Sequence, residues 1–179
     1  MNLREIHVTD AEAYLDLLSS IESESPYALL EPGERRTTIR EQMAEIEAIL
    51  ARDNQTILVV EDGADLVGWL GAFGETYRRV EHNVLLGVGV HENYRRRGIG
   101  TWLFTEIEKW AWDQNIRRME LLVLTQNKPA ISLYRKMGFQ IEGTKRESYL
   151  LNGEYLDEYL MSKLLVRPEP PRRNPFPKW

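Results

Sequence analysis

Val84-Leu85-Leu86-Gly87-Val88-Gly89-Val90 runs without a break into His91-Glu92-Asn93-Tyr94-Arg95-Arg96-Arg97-Gly98-Ile99-Gly100. The first seven residues read as an apolar strand carrying two glycines. From Gly98 to about Gln114 the period becomes helical, with Ile99, Leu103, Ile107, Trp110 and Ala111 on one face. A strand that turns through an arginine–glycine bend straight into a helix has a chemical consequence. The first helical turn leaves four N–H groups without intrahelical partners, and the macrodipole adds partial positive charge there. Gly98 and Gly100 carry no Cβ, which lets an anion approach the main chain, and Arg95, Arg96 and Arg97 add full charges. The pattern predicts an anion cradle suited to a phosphate or pyrophosphate. Four charge-assisted hydrogen bonds at roughly 1.5–3 kcal/mol each would supply much of the about 8 kcal/mol of a micromolar complex. Two nucleotide motifs fail on the residues themselves. No lysine follows Gly100 as a P-loop requires, and Glu92 stands where the dinucleotide fingerprint begun by Gly87-Val88-Gly89 needs its third glycine.

Upstream, Thr56–Val60 and Leu66–Phe73 read as strands around an Asp62-Gly63 turn. Before them, Thr9 and Glu12 form a capping-box pattern that opens a helix with Ala11, Leu15, Leu18 and Ile21 on one face. Residues 22–37, with Pro26, Pro32 and Gly33, read as a loop. Thr38 and Glu41 repeat the box ahead of a helix carrying Met43, Ile46 and Leu50 to about Arg52. Two early helices joined by a polar loop are placed to cover a site. Downstream, Met119–Leu124 is a near-continuous apolar run, as expected of a strand buried on both sides. Pro129–Met137 reads as a short helix with Asn127 as its N-cap and Gly138 as its stop. The last two strands, about 139–151 and 154–164, flank the hairpin signal Asn152-Gly153. This order predicts a mixed α/β domain, largely antiparallel, with one parallel step around the helix at 98–114.

Composition bounds the function. A chain of 179 residues fits one domain, and 42% hydrophobic with 28% charged residues is ordinary for a globular protein. The absence of cysteine removes disulfides, thiolate metal sites and cysteine nucleophiles, and three scattered histidines (His7, His82, His91) argue against a histidine-built metal site. A net charge of −5 argues against a broad nucleic-acid surface. No apolar run approaches the roughly 18 residues a membrane span needs, and the first residues lack a signal-peptide pattern. A cytoplasmic protein without nucleic-acid or membrane partners is the expectation. Residues 166–179 form a Pro-rich basic tail, with five of the eight prolines beside Arg172, Arg173 and Lys178, and are expected to be extended and flexible.

Arg95-x-x-Gly98-x-Gly100 after a strand resembles the acetyl-coenzyme-A signature of the GNAT superfamily of N-acetyltransferases. A second element, Asn127 to Phe139, is similar to that family's N-x-x-A-x-x-L-Y-x-x-x-G-F pattern at every fixed position: Asn127, Ala130, Leu133, Tyr134, Gly138 and Phe139. The two elements stand in the family's order and separation, and the resemblance runs from about Asn2 to Leu165. It implies a GNAT-like domain over residues 1–165, with a central, mostly antiparallel twisted sheet, one parallel step and about four flanking helices. It also implies acetyl-CoA as co-substrate and no metal. Main-chain groups of Val88, Gly89 and Val90 would then pair with the pantetheine arm and polarise the thioester carbonyl. Backbone amides from Arg96 through Arg97, Gly98, Ile99 and Gly100 to Thr101 would hold the pyrophosphate, and Arg95 of the signature would be a further coenzyme-binding residue. Asn127 would contact the coenzyme or orient the second element, and Tyr134 would be the acid for the departing thiolate. Gly138 and Phe139 would turn the chain, and Ala130 and Leu133 would be core.

The chemistry refines these roles. A thiol near pKa 8.5 needs little help to leave, so a tyrosine near 10 serves better by hydrogen bonding to developing charge than by early proton transfer. Making a lysine-like amine neutral at pH 7 costs about 4.6 kcal/mol, and an α-amine about 1.4 kcal/mol. Some relatives, including ribosomal-protein N-terminal acetyltransferases, place a glutamate base five residues before the asparagine. Leu122 stands there in this chain, which leaves Glu75, Glu81 and His82 as substitutes. The hairpin tyrosines Tyr149, Tyr155 and Tyr159 serve either cross-strand packing or, with their acidic neighbours, attraction of a cationic amine. The expected activity is direct transfer of acetyl from acetyl-CoA to a small-molecule primary amine in a ternary complex, by a monomer or homodimer. A protein N-terminal or lysine acceptor and a catalytically silent acyl-CoA sensor are the alternatives.

Overall fold

A computed structural model describes residues 1–166, so the tail expected over 166–179 lies, apart from Val166, outside the described residues. Seven strands form one sheet: β1 (Asn2–Glu5), β2 (Gln55–Asp62), β3 (Asp65–Gly74), β4 (Asn83–Val90), β5 (Arg118–Leu124), β6 (Gln140–Leu151) and β7 (Glu154–Leu164), in the order β1-β2-β3-β4-β5-β7-β6. Every neighbouring pair is antiparallel except β4–β5. Four helices flank it: α1 (Ala11–Glu24), α2 (Ile39–Leu50), α3 (Ile99–Asp113) and α4 (Lys128–Lys136). The mixed sheet with one parallel step and four helices agrees with the sequence reading.

Strand alternation builds two hydrophobic layers. Leu58 and Val60 of β2 join Leu103, Phe104 and Ile107 of α3 on one face, with Ile131 and Tyr134 of α4. Ile57 and Val59 of the same strand point the other way, to Tyr14, Leu17 and Leu18 of α1 and Ile46 of α2. The Asn152-Gly153 turn has both residues at positive φ, 51° and 83°, as a tight two-residue hairpin requires.

Several local expectations are corrected. Strand β1 escaped the sequence reading because four residues carry too little alternation to register. The first capping box is His7 with Asp10, not Thr9 with Glu12: Asp10 accepts the His7 N–H at 2.7 Å, and the helix begins at Ala11. A tertiary ion pair decides this, since the Asp10 carboxylate also takes Arg4 of β1 at 2.6 Å. Thr38 and Glu41 do cap α2 as read. In α2 the inward position belongs to Gln42, while Met43 faces outward. In α3, Phe104 joins the buried face and Trp110 is only half-buried. Strand β5 is not buried on both sides: Met119, Leu121 and Val123 are covered by α3 and α4, but Leu122 is 37% exposed.

Candidate active site

The parallel ladder between β4 and β5 is short. Asn83, Val84 and Leu85 pair with Arg118, Met119 and Glu120, and there it ends. Beyond that point β4 stays bonded to β3 as far as Val90, and β5 to β7 as far as Leu124. A wedge therefore opens towards the C-terminal ends of the two strands, leaving Leu86–Val90 without a strand partner on one side among the described residues. Such an edge presents main-chain donors and acceptors that an extended ligand can match.

Both strands feed helices at the mouth of this wedge. Gly98 caps α3 in the left-handed conformation (φ 86°) and provides no side-chain cap, so among the described residues no side chain takes up the first-turn N–H groups. Arg96 is also left-handed (φ 60°), which costs a non-glycine residue about 1–2 kcal/mol and marks a bend imposed by its surroundings. The two glycines differ in purpose. A Cβ on Gly98 would meet open space, and only its φ demands glycine. A Cβ on Gly100 would fall 2.8 Å from Leu133 Cδ2, so Gly100 lets α3 and α4 pack closely rather than baring main chain to an anion. At the head of α4, the Asn127 side chain accepts the Ala130 N–H at 3.3 Å and acts as N-cap.

The three arginines are not equivalent. Arg95 donates through Nε to the Val90 carbonyl at 2.9 Å and lies 3.7 Å from Glu24, so it folds back along the loop. Arg97 lies 5.0 Å over the Tyr94 ring, whose hydroxyl donates to Asp62 at 3.1 Å. Arg96 is exposed. Tyr134 is 7% exposed, packed edge-on to Phe104 at 5.5 Å, and among the described residues its hydroxyl has no hydrogen-bond partner. Burial pushes its pKa up to about 12, which keeps it protonated at neutral pH.

The sequence pattern of the acetyltransferase (GNAT) family matches residues 16–139. This chain belongs to that family. It is 36% identical over 104 residues to an L-amino acid N-acetyltransferase of Escherichia coli (strain K12), a match spanning 56% of the chain and 62% of that relative, short of two thirds of its length. The fold superposes on a GNAT-family acetyltransferase from Streptococcus pneumoniae with a TM-score of 0.89 at 29% identity, covering 92% of this chain and 99% of the other. It also superposes on a Salmonella typhimurium structure of yncA with acetyl-CoA, with a TM-score of 0.82 at 18% identity and 96% and 98% covered.

The opposite face of the GNAT wedge is lined from α1 and β3. The Trp69 indole lies across β4: a Cβ on Gly89 would fall 2.7 Å from its Nε1, and one on Gly87 would fall 3.0 Å from its ring. Tyr14 meets that ring edge-on at 5.7 Å, and Trp69 Nε1 is buried without a partner among the described residues. The Tyr149 hydroxyl of β6 donates to the Ala28 carbonyl, so the α1–α2 loop touches the distal hairpin. Burial and the carboxylates of Glu158, Glu31 and Glu34 raise the Tyr149 pKa. Tyr155, by contrast, is exposed. The substitute bases lie at the closed end of the wedge. Glu75, Glu81 and His82 cluster where the β4–β5 ladder is closed, and at ~3.3 Å per residue His82 stands ~20 Å along the chain from Val88. Glu24, Trp69 and Tyr14 escaped the sequence reading, since each carries no motif and acts only through residues distant in the chain.

Proposed function

We propose that the chain is an acetyl-CoA-dependent N-acetyltransferase that acetylates the primary amine of a small molecule by direct attack in a ternary complex. The β4–β5 wedge, with an uncapped helix N-terminus at its mouth, carries this reading. The free edge at Val88, Gly89 and Val90 receives the pantetheine arm, and the amides from Arg96 to Thr101 hold the pyrophosphate. Arg95 shapes that bend, Arg97 and Arg96 add charge, and Asn127 orients α4. The neutral amine nitrogen forms a bond to the thioester carbonyl carbon, the carbon–sulfur bond breaks with its electron pair leaving on the thiolate, and the amine proton passes to water. Main-chain donors on β4 stabilise the oxyanion. With Tyr134 at about 12 and a thiol near 8.5, full proton transfer is uphill by about 5 kcal/mol, so Tyr134 acts by donating a hydrogen bond to the forming thiolate.

The acids around Tyr149 favour a cationic amine over a neutral acceptor. The Escherichia coli relative acts on L-amino acids, which makes these the first acceptors to try. Thiol release from acetyl-CoA, followed with L-amino acids, spermidine and a short peptide with a free N-terminus, tests the reading. Turnover on a small amine supports it. Turnover on the peptide alone moves the assignment to protein acceptors, and coenzyme binding without turnover on any amine assigns a silent sensor.

A further inference from the structure

We propose that Glu24, the last residue of α1, is a positioning residue that holds the arginine–glycine bend in the shape that binds the coenzyme's diphosphate, an inference resting on the acetyl-CoA reading above. Its carboxylate gathers three groups from the start of that bend. Oε2 accepts the Glu92 N–H at 2.8 Å, Oε1 lies 3.3 Å from His91 Nε2, and Arg95 Nη2 is 3.7 Å away. The Asn93 N–H donates to His91 Nδ1 at 3.3 Å, which leaves Nε2 as the protonated nitrogen facing Glu24. Arg95 passes the hold onward, since its Nε fixes the Val90 carbonyl at the end of β4. The contact joins residues 68 apart in sequence, and the Glu24 side chain is 17% exposed. An acid on the last turn of a helix faces the negative end of its dipole, so α1 itself gains nothing from a carboxylate there. The benefit lies in the loop it grips. Four residues on, Ala28 meets Tyr149, so the same stretch of chain links the acceptor side to the coenzyme bend.

Glu24 is also a negative charge near a binding place for an anion, and the two effects have opposite signs. If it holds the bend, its loss weakens the diphosphate's grip. If it only draws charge from Arg95, its loss tightens it. The test compares Glu24→Gln and Glu24→Ala with the parent on acetyl-CoA and on S-acetylpantetheine, which carries the same thioester without the diphosphate. The expected result is a KM for acetyl-CoA raised about tenfold in the alanine variant and less in the glutamine variant, which keeps an acceptor for the Glu92 N–H, with kcat within about twofold. The KM for S-acetylpantetheine stays unchanged. An unchanged or lowered KM for acetyl-CoA, or an equal rise on both thioesters, overturns the proposal. Calorimetry of acetyl-CoA with the parent protein separates the two levels: no heat there overturns the acetyl-CoA reading and this inference with it.

Discussion

The Tyr134 ring packs against Phe104 and Phe139, while among the described residues no protein group takes its hydroxyl, which leaves the phenol free to serve a bound ligand. Replacing it by phenylalanine keeps the ring packing. Tyr134→Phe is expected to melt at or above the parental temperature, bind acetyl-CoA within twofold of the parent, and lose roughly 10- to 150-fold in kcat, the worth of one hydrogen bond to a charged group. Steady-state kinetics beside calorimetry checks this, and parental kcat removes Tyr134 from the chemistry. A phenol near pKa 12 does not titrate below pH 10, so the rate is expected to rise with pH as the acceptor amine loses its proton, and that rise should persist in the variant. Gly89 tests the opposite face. A methyl group there meets Trp69 Nε1 at 2.7 Å and Ile21 Cδ1 at 2.8 Å, so Gly89→Ala should cost about 1–3 kcal/mol in urea unfolding. Adding Trp69→Leu, which removes the indole, should return part of that loss.

At the scale of elements, the turn into α3 separates two uses of glycine. Gly98 is held at φ 86° with open space around it, so Gly98→Ala strains the bend and should weaken acetyl-CoA binding several-fold, as left-handed backbone costs about 1–2 kcal/mol. Gly100→Ala meets only the end of the Leu133 side chain, which can rotate, and gains helix propensity of about 1 kcal/mol. It should leave both binding and the urea midpoint nearly unchanged. A Gly100→Trp change, by contrast, would push α4 away and lose packing along with any binding. Sequence periodicity revealed these elements because the apolar stripe of α3 and the alternation of β2 and β3 follow from burial on one or two faces. It misjudged β5, because a run such as Leu121-Leu122-Val123-Leu124 looks the same whether or not a helix covers its second face. The arginine–glycine bend was legible as an uncapped helix start because a helix start needs only local sequence. The Glu24 clasp and the Trp69 floor were not, since a tertiary contact leaves no period. For the candidate bases Glu75, Glu81 and His82, nearness in sequence to β4 says nothing of which end of the wedge they reach.

At the scale of the whole molecule, both outer parts of the sheet are fastened by an arginine between two carboxylates. Arg4 of β1 takes Asp10 at 2.6 Å and Glu61 of β2 at 2.8 Å, which ties the first strand to its neighbour and to the entrance of α1. Arg118 of β5 takes Glu120 at 2.7 Å and Glu142 of β6 at 2.9 Å, reaching across β7 to the far strand. The clasps hold Asp10 and Glu142 below the ordinary carboxylate range. Arg4 first, then the His7 N–H, keeps Asp10 below its usual range, and Arg118 first, then Ser162, brings Glu142 from 4.5 to about 2. A carboxyl group whose folded pKa is depressed contributes its stability above the unfolded pKa and loses it as pH falls towards the folded one. The urea midpoint should therefore be level from pH 7 to about 5 and decline between about 4.5 and 2, the interval over which Glu142 binds a proton in the unfolded chain before the folded one. Glu142 is 38% exposed, so solvent screens the pair and the decline from this clasp alone is shallow. Glu142→Gln isolates it: the variant should be less stable than the parent at pH 7, the gap should narrow below about pH 4.5, and it should close only as pH falls through about 2, where the parental carboxyl itself takes a proton. Urea melts of both proteins followed by circular dichroism at pH 7, 4.5 and 3 measure the narrowing, and a gap that stays constant down to pH 3 would show that shape at position 142, rather than charge, fastens β6 to the sheet.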